Sequence, residues 1–275
     1  MKLSVMSYTL ARQLGPDQLD WVRICEFTRE LGLEAVDVVS TYGRHPREVR
    51  RLLDDFGLRA ACYTFNADFN QTDAAALQEA LDTVRRGLEI AVVLGAPAIM
   101  IVTPGKDGVA REETRRRYVE GFARAMPFAH DAGVYLSFEN FPGALSPFVI
   151  SADFLEAKHE VPDLRLTFDS GNVFTGGEDP ATSFRLCAGD VVHAHFKDWT
   201  HPEPPAGMLG LDGQRYAPAL IGEGLLDHRS CLAAMREAGY GGYINIEYEG
   251  DAYNAEDATR RAVAYLNGLL DEEGG

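Results

Sequence analysis

Asp131-Ala-Gly-Val-Tyr-Leu-Ser-Phe-Glu139 holds, in one short stretch, the unit from which the chain is built. A helical segment runs out at Ala132, Gly133 stops it, and a run rich in β-branched and aromatic residues follows as a strand. That strand finishes on a carboxylate. The same ending recurs downstream: Asp169 after Leu164-Arg-Leu-Thr-Phe, His195 after Val191-Val-His-Ala, and Glu247 after Tyr243-Ile-Asn-Ile. A charge at the end of such a run is costly unless it is paired or bound to metal. Two carboxylates, a third carboxylate and an imidazole delivered from successive strand ends form a donor set for a divalent ion.

Outward from this stretch, strand-like and helix-like segments alternate along the chain. Strands are expected at 3–10, 33–40, 58–65, 97–103, 134–139, 164–169, 191–196 and 242–247. Helices are expected at 16–31, 46–56, 73–94, 111–132, 151–159 (with Ser151 as cap), 180–188, 227–238 and 255–270. Glycines stand at the helix stops, as at Gly32, Gly57, Gly95, Gly189 and Gly239. Eight repeated strand–helix units predict an α/β fold, a (β/α)8 TIM barrel, as a single domain over residues 1–275. One connection is long, the Pro- and Gly-rich stretch 200–224, and is expected as a βα loop that covers the substrate.

The bulk composition excludes several classes. With 275 residues and 46% apolar content, the chain can bury one large core. A net charge of −16 argues against a nucleic-acid footprint. Arg111 and Arg115-Arg116-Arg117 lie with Glu112, Glu113 and Glu120 and read as a solvated helix face. The four cysteines are far apart with no CxxC spacing, so buried reduced thiols are expected. No signal-peptide pattern and no apolar run of about 18 residues is present, which predicts a cytoplasmic protein with no membrane partner. The absence of a GxGxxG or Walker-type loop argues against nucleotide chemistry, and the lack of a clear basic phosphate pocket favours an unphosphorylated sugar, keto-polyol or glycoside derivative.

Active sites of TIM barrels lie at the C-terminal strand ends. Glu139, Asp169, His195 and Glu247 come at the ends of the last four strands and are expected to meet around one metal ion. The oxygen-rich set suits Mn²⁺ or Mg²⁺ and tolerates Co²⁺ or Zn²⁺. Glu249 shares a face with Glu247, but Glu247 follows the apolar run directly and is preferred as ligand; Glu249 is assigned to the loop beyond. Lys197 shares the face of His195, to bind a carbonyl or anionic oxygen or to pair with Asp198 or Glu223. Glu223, between two glycines, either hydrogen-bonds the substrate or belongs to a solvated turn. Trp199, Phe141, Phe65 and Tyr8 are candidates for an aromatic wall or for packing, and Asp37 reads as structural.

Five motifs carry a resemblance: Ser137-Phe-Glu-Asn-Phe, Phe168-Asp-Ser-Gly-Asn, His193-Ala-His-Phe-Lys-Asp, Gly222-Glu-Gly and Ile246-Glu-Tyr-Glu. On them the chain resembles the xylose isomerase-like barrel superfamily, the sugar phosphate isomerase/epimerase group. Ketose 3-epimerases, hydroxypyruvate isomerase, inosose dehydratase and, more remotely, endonuclease IV enzymes belong to it. The resemblance implies Glu139, Asp169, His195 and Glu247 as metal ligands, with Glu139 and Glu247 also catalytic, exchanging protons on opposite faces of a sugar or keto-polyol. It places His193 and Asp198 behind the ligands or against the substrate; Lys197, Asn172, Glu223 and Trp199 are the other candidates for binding the substrate. Asn172 stands where a His-rich multi-metal site would need a histidine, which disfavours DNA repair. The implied chemistry is proton removal beside a carbonyl through a metal-stabilised enediolate. Isomerisation or epimerisation leads; dehydration of a keto-sugar or inosose is the alternative, and a catalytically silent sugar-binding barrel is the reading outside enzymes. A homo-oligomer is implied by the resemblance alone.

Overall fold

The computed structural model describes residues 1–272. Along the chain come β1 (Lys2–Met6), α1 (Ser7–Leu14), α2 (Trp21–Glu30), β2 (Ala35–Val39), α3 (Pro46–Asp55), β3 (Arg59–Phe65), α4 (Ala74–Leu94), β4 (Ala98–Ile101), α5 (Arg111–Ala132), β5 (Tyr135–Glu139), α6 (Ser151–Glu160) and β6 (Arg165–Asp169). There follow α7 (Ser170–Phe174), α8 (Pro180–Cys187), β7 (Val191–Phe196), β8 (Asp198–Thr200), β9 (Met208–Leu209), β10 (Arg215–Ala219), α9 (His228–Glu237), β11 (Tyr243–Ile246) and α10 (Ala255–Glu272). Among the described residues, β1 to β7 and β11 close into one parallel barrel, with β11 between β7 and β1.

Side chains alternate between the two faces of a strand. Phe138, Phe168, Phe196 and Ile246 belong to the main apolar core. Their neighbours Ser137, Thr167, His193, His195 and Asn245 are buried polar residues of the opposite face. Between neighbouring strands Ser137 Oγ donates to the Ile99 carbonyl at 2.7 Å, and Ser4 Oγ to Asn245 Oδ1 at 3.1 Å. The outer layer is dense with aromatics: the Phe122 and Phe138 rings stack 5.2 Å apart, and Phe69 meets Phe122 edge-on at 5.8 Å.

Several boundaries differ from expectation. The segment 3–10 is a strand only to Met6; Ser7 begins a helix whose Leu-Ala-Arg-Gln-Leu stretch consists of strong helix formers. The helix expected from Pro16 starts at Trp21, because Asp20 caps it by accepting the Val22 N–H at 2.9 Å. Ser151 opens α6 but does not cap it. Asp153 reaches back to the N–H groups of Val149 and Ile150, while the Ser151 hydroxyl donates to Glu178. The basic cluster on α5 is only partly solvated. Arg111 and Arg115 are mostly buried and both pair with Asp153, tying α5 to α6, and Arg117 donates to Asn70 Oδ1 at 2.8 Å; Arg116 alone remains well exposed.

The stretch 200–224 also has more structure than a loop. Asp198–Thr200, Met208–Leu209 and Arg215–Ala219 form an antiparallel sheet in the order β8-β10-β9. It has a small core of Trp199, Tyr216 and Leu226. Backbone bonds fasten it to the barrel top: Ala144 N–H to the Leu209 carbonyl and Leu211 N–H to the Thr175 carbonyl, each 2.9 Å. The four cysteines are buried and unpaired. Among the described residues no helix is long and apolar enough to cross a membrane.

Gly121 on α5 tests the packing. Alanine would add about 1 kcal/mol of helix propensity, but a Cβ there would stand 2.3 Å from the buried Phe69 ring. Overpacking costs about 1–3 kcal/mol, so Gly121→Ala is expected to lower the melting temperature. A rise in a calorimetric scan would show that the Phe69 ring is free to move.

Candidate metal centre

The ends of β5, β6, β7 and β11 bring the four expected residues together. Glu139 closes β5, Asp169 closes β6, His195 lies in β7, and Glu247 follows β11 with its N–H on the Phe196 carbonyl at 2.9 Å. One donor atom from each lies within 4.8 Å of all the others, and all four residues are buried. Asn140 holds the scaffold beneath: its amide donates to the Asp169 carbonyl and accepts from the Asp169 N–H, both at 2.8 Å. Asp169 also caps the short helix α7 through the Asn172 N–H at 2.6 Å, which uses one carboxylate oxygen and leaves Oδ2 to the centre.

The electrostatics describe an unbalanced anionic site. His195 Nδ1 stands 2.8 Å from Glu139 Oε1 and 3.3 Å from Glu247 Oε2, and its Nε2 is 3.0 Å from Asp37 Oδ2. Burial opposes a charged ring, but Glu139, Asp37 and Glu247 outweigh it and hold the His195 pKa well above the usual histidine range. Lys197 Nζ lies 3.0 Å from Glu247, 3.4 Å from Glu249 and 3.5 Å from Asp169; these carboxylates overcome burial and raise its pKa strongly. Glu247 is held down to about 2: burial pushes it up, but Lys197 and His195 prevail. Asp169 goes the other way, well above the carboxylate range, because burial and the charges of Glu139 and Glu247 exceed the pull of Lys197.

A cation fits this arrangement. Asp169 Oδ2 and Glu247 Oε2 are buried and make no hydrogen bond, only longer ion-pair contacts with Lys197 Nζ (3.5 Å) and His195 Nδ1 (3.3 Å), and buried acceptors normally have a hydrogen bond. Three carboxylates and one imidazole nitrogen converge, a donor set suited to a divalent ion.

Above the quartet opens a cavity of about 230 Å³, lined by Glu139, Glu247, Lys197 and Glu249 on one side and by Met6, Tyr8, Val39, Thr64, Met100, Val102, Phe141 and Pro142 around it. Of the residues expected around the substrate, Lys197 alone lines it. Trp199 packs in the small core of the β8–β10 sheet. Asn172 is fully buried in α7. Glu223 is exposed and accepts from the Tyr253 hydroxyl at 3.0 Å. His193 lies behind His195, with Nε2 at 2.6 Å from Asp37 Oδ2. Among the aromatic candidates Tyr8 and Phe141 reach the cavity, whereas Phe65 packs under Gly87 of α4.

Asp198 departs most from expectation. Oδ1 accepts the N–H groups of Trp199 (2.9 Å) and Leu226 (3.1 Å); Oδ2 accepts those of Gly222 (3.0 Å) and Gly224 (3.1 Å) and meets His228 Nε2 at 3.2 Å. The Gly222-Glu-Gly motif is therefore a backbone cradle for a carboxylate of the protein itself. Gly222 has φ +92°, and a Cβ on Gly224 would stand 2.2 Å from Asp198 Oδ1.

Two residues were undervalued in the sequence. Glu249 is in the cavity; Lys197 pulls its carboxyl down, yet burial with Glu247 and Glu139 leaves it raised. Its two-residue spacing from Glu247 was the available signal. Asp37 is fully buried and meets both histidines of β7. A carboxylate inside Ala35-Val-Asp-Val-Val was the signal there, since such a charge needs partners.

The profile of the xylose isomerase-like TIM barrel family matches residues 25–269. The chain belongs to this family. An inosose dehydratase of Lacticaseibacillus casei is 22% identical over 267 residues, covering 87% of this chain and 86% of the relative. In structure the chain is similar to an IOLI protein carrying a zinc atom, with TM-score 0.82, 16% identity and 99% of each chain covered. It is also similar to an L-ribulose 3-epimerase, with TM-score 0.80, 14% identity, and 98% of this chain and 95% of the other covered.

Replacing Asp198 with Asn would leave backbone donors facing an amide. A loss of about 2–4 kcal/mol is expected from chemical denaturation. Burial opposes ionisation of Asp198, but His228 and the N–H groups of Leu226 and Gly222 depress its pKa. Its contribution is thus present above the unfolded value of about 3.9 and is lost as pH falls through the lower folded value. Asp198→Asn should flatten the acid limb of stability; an unchanged acid limb would show that the cradle does not depend on the charge.

Proposed function

We propose that the protein is a divalent-metal-dependent enzyme that removes a proton next to a carbonyl of a small sugar or keto-polyol. The observation that carries this is the buried Glu139–Asp169–His195–Glu247 quartet, with two carboxylate oxygens that make no hydrogen bond, whose members Glu139 and Glu247 line a cavity of about 230 Å³. That volume lies below the range of drug-sized sites and suits a small substrate.

In this reading the four residues hold one ion, with Mn²⁺ or Mg²⁺ favoured by the oxygen-rich set and Zn²⁺ or Co²⁺ accepted. A bound divalent ion would supply Lewis-acid stabilisation for the charge that develops on the carbonyl oxygen. The other steps belong to the chain. Glu139 or Glu247 takes the proton from the carbon. Lys197 holds the neighbouring carboxylates in place and presents an ammonium to a substrate oxygen. Tyr8, Met100 and Phe141 exclude bulk water from the reacting face. Return of the proton to the other face or to the neighbouring carbon gives an epimerase or isomerase.

Loss of a β-hydroxyl from the same enolate is the second reading, and two observations favour it. Lys197 and Glu249 place further polar groups on the cavity wall, where a leaving hydroxyl needs assistance. The likeness to an inosose dehydratase also runs through most of both chains.

Titration of metal-stripped protein with Mn²⁺ or Zn²⁺ should raise the melting temperature, through a stabilisation of about 2.7 kcal/mol at a hundredfold excess over Kd. The rise should vanish in Asp169→Asn. No response to any divalent ion in the wild type would remove the metal from this reading. Glu139→Gln should lower kcat/KM by about 10²–10⁴-fold when assayed at saturating metal. The substrate panel should comprise ketoses and inososes in deuterated water, read by mass spectrometry. Deuterium uptake at constant heavy-atom mass identifies an isomerase or epimerase, and loss of water a dehydratase. Binding without either, across the panel, would point to a silent sugar-binding barrel.

A further inference from the structure

Asp37 lies on β2, three neighbours away from β7 around the barrel. Its carboxylate nevertheless meets both β7 histidines with a single oxygen: Oδ2 is 2.6 Å from His193 Nε2 and 3.0 Å from His195 Nε2. The link therefore spans the lumen. His193 and His195 are two apart and share the inner face. Their rings meet at 90° with centroids 5.0 Å apart, so each can direct Nε2 at the same acceptor. Asp37 and both rings are at most 1% exposed, and no solvent competes for these bonds.

We infer that Asp37 is a positioning residue for His195: it holds the proton on Nε2 and so leaves Nδ1, on the side of the carboxylates of the centre, as the nitrogen that an ion takes. This inference rests on the reading of His195 as a metal ligand. A carboxylate oxygen can hold an imidazole only through an N–H, so Asp37 keeps the Nε2 proton in place, while Nδ1, which meets Glu139 through its own N–H, carries the proton that an ion would displace. Nδ1 is the nitrogen that faces Glu139 and Glu247, at 2.8 and 3.3 Å. Such outer partners fix ring orientation and raise ligand basicity, and their loss typically costs about 10–100-fold in metal affinity. His193 completes the device by donating to the same oxygen from the other side, which prevents the carboxylate from swinging away.

A rival use of the same atoms is a second ion. Asp37, Cys62 and His193 also bring donor atoms within 4.8 Å of one another. Asp37 Oδ2 is already shared by the His193 and His195 rings, at 2.6 and 3.0 Å. Cys62 Sγ is engaged with the Ala98 carbonyl at 3.4 Å. These contacts favour a bridge filled by protons over a metal.

The test uses the full-length chain, with Zn²⁺ as the probe, comparing wild type, Asp37→Ala, Asp37→Asn and Cys62→Ser. Affinity is measured by competition with a chromophoric chelator, on samples whose folded fraction is established by circular dichroism. Asp37→Ala should weaken Zn²⁺ binding about 10–100-fold. Asp37→Asn, which can still present an oxygen to Nε2, should recover part of that loss. Nitrogen-15 NMR of the Zn²⁺-loaded protein should show His195 protonated on Nε2 in the wild type and a shifted tautomer balance in Asp37→Ala. A purely structural Asp37 would lower the melting temperature of Asp37→Ala without moving affinity or tautomer, and that outcome overturns the inference. Two Zn²⁺ equivalents, falling to one in Cys62→Ser, would overturn it in favour of the second ion. If wild-type protein binds no Zn²⁺, the metal reading itself has failed, a result distinct from unchanged affinity in the Asp37 variants.

Discussion

The lumen of a closed parallel barrel has no room for unpaired charge, yet this one receives several. The alternation of strand faces forces the issue. Once Phe138, Phe168, Phe196 and Ile246 pack outward against the helices, residues of the opposite parity must turn inward. Glu139, Asp169, His195, Lys197, Glu247 and Glu249 are then brought to one mouth of the barrel. In a low-dielectric setting they perturb one another strongly, which is why Glu247 is depressed while Asp169 is raised a few ångströms away.

The rest of the site follows from managing that charge. Lys197 neutralises part of it from above, and His195 from within. Asp37 approaches from the opposite wall to hold both β7 rings. Two carboxylate oxygens of the quartet, Asp169 Oδ2 and Glu247 Oε2, still make no hydrogen bond. The same economy appears in the barrel top. Asp198, one residue past Lys197, is turned away from the cavity and absorbed by a glycine-lined backbone cradle, so the strand end and the β8–β10 sheet are locked together. Residues adjacent in one motif thus divide between the chemistry and the architecture around it.

Much of the fold was legible because its signals are local. Gly133 and Gly95 end α5 and α4 in the left-handed conformation that glycine tolerates, and the following runs have strand composition. β7 and α5 coincide with their expected limits. The early helix α1 and the capping of α6 by Asp153 were not legible, because neither carried an unambiguous local signature. Arg111 and Arg115 looked like solvent-facing partners of nearby glutamates; their true partner, Asp153, lies in the next helix.

By itself the sequence determined the repeat, the barrel and the four strand-end groups that converge, because strand composition, glycine stops and two-residue parity are properties of a few consecutive residues. Only the tertiary structure decided which neighbours of those groups face the cavity. Asp198, Glu223, Trp199, Asn172 and His193 are taken up by packing or by internal hydrogen bonds, while Glu249 and Tyr8 reach the cavity. The physical reason is that a polar side chain goes wherever its buried partners lie, and those partners come from β2, from the cradle at Gly222 and from helices distant in the chain.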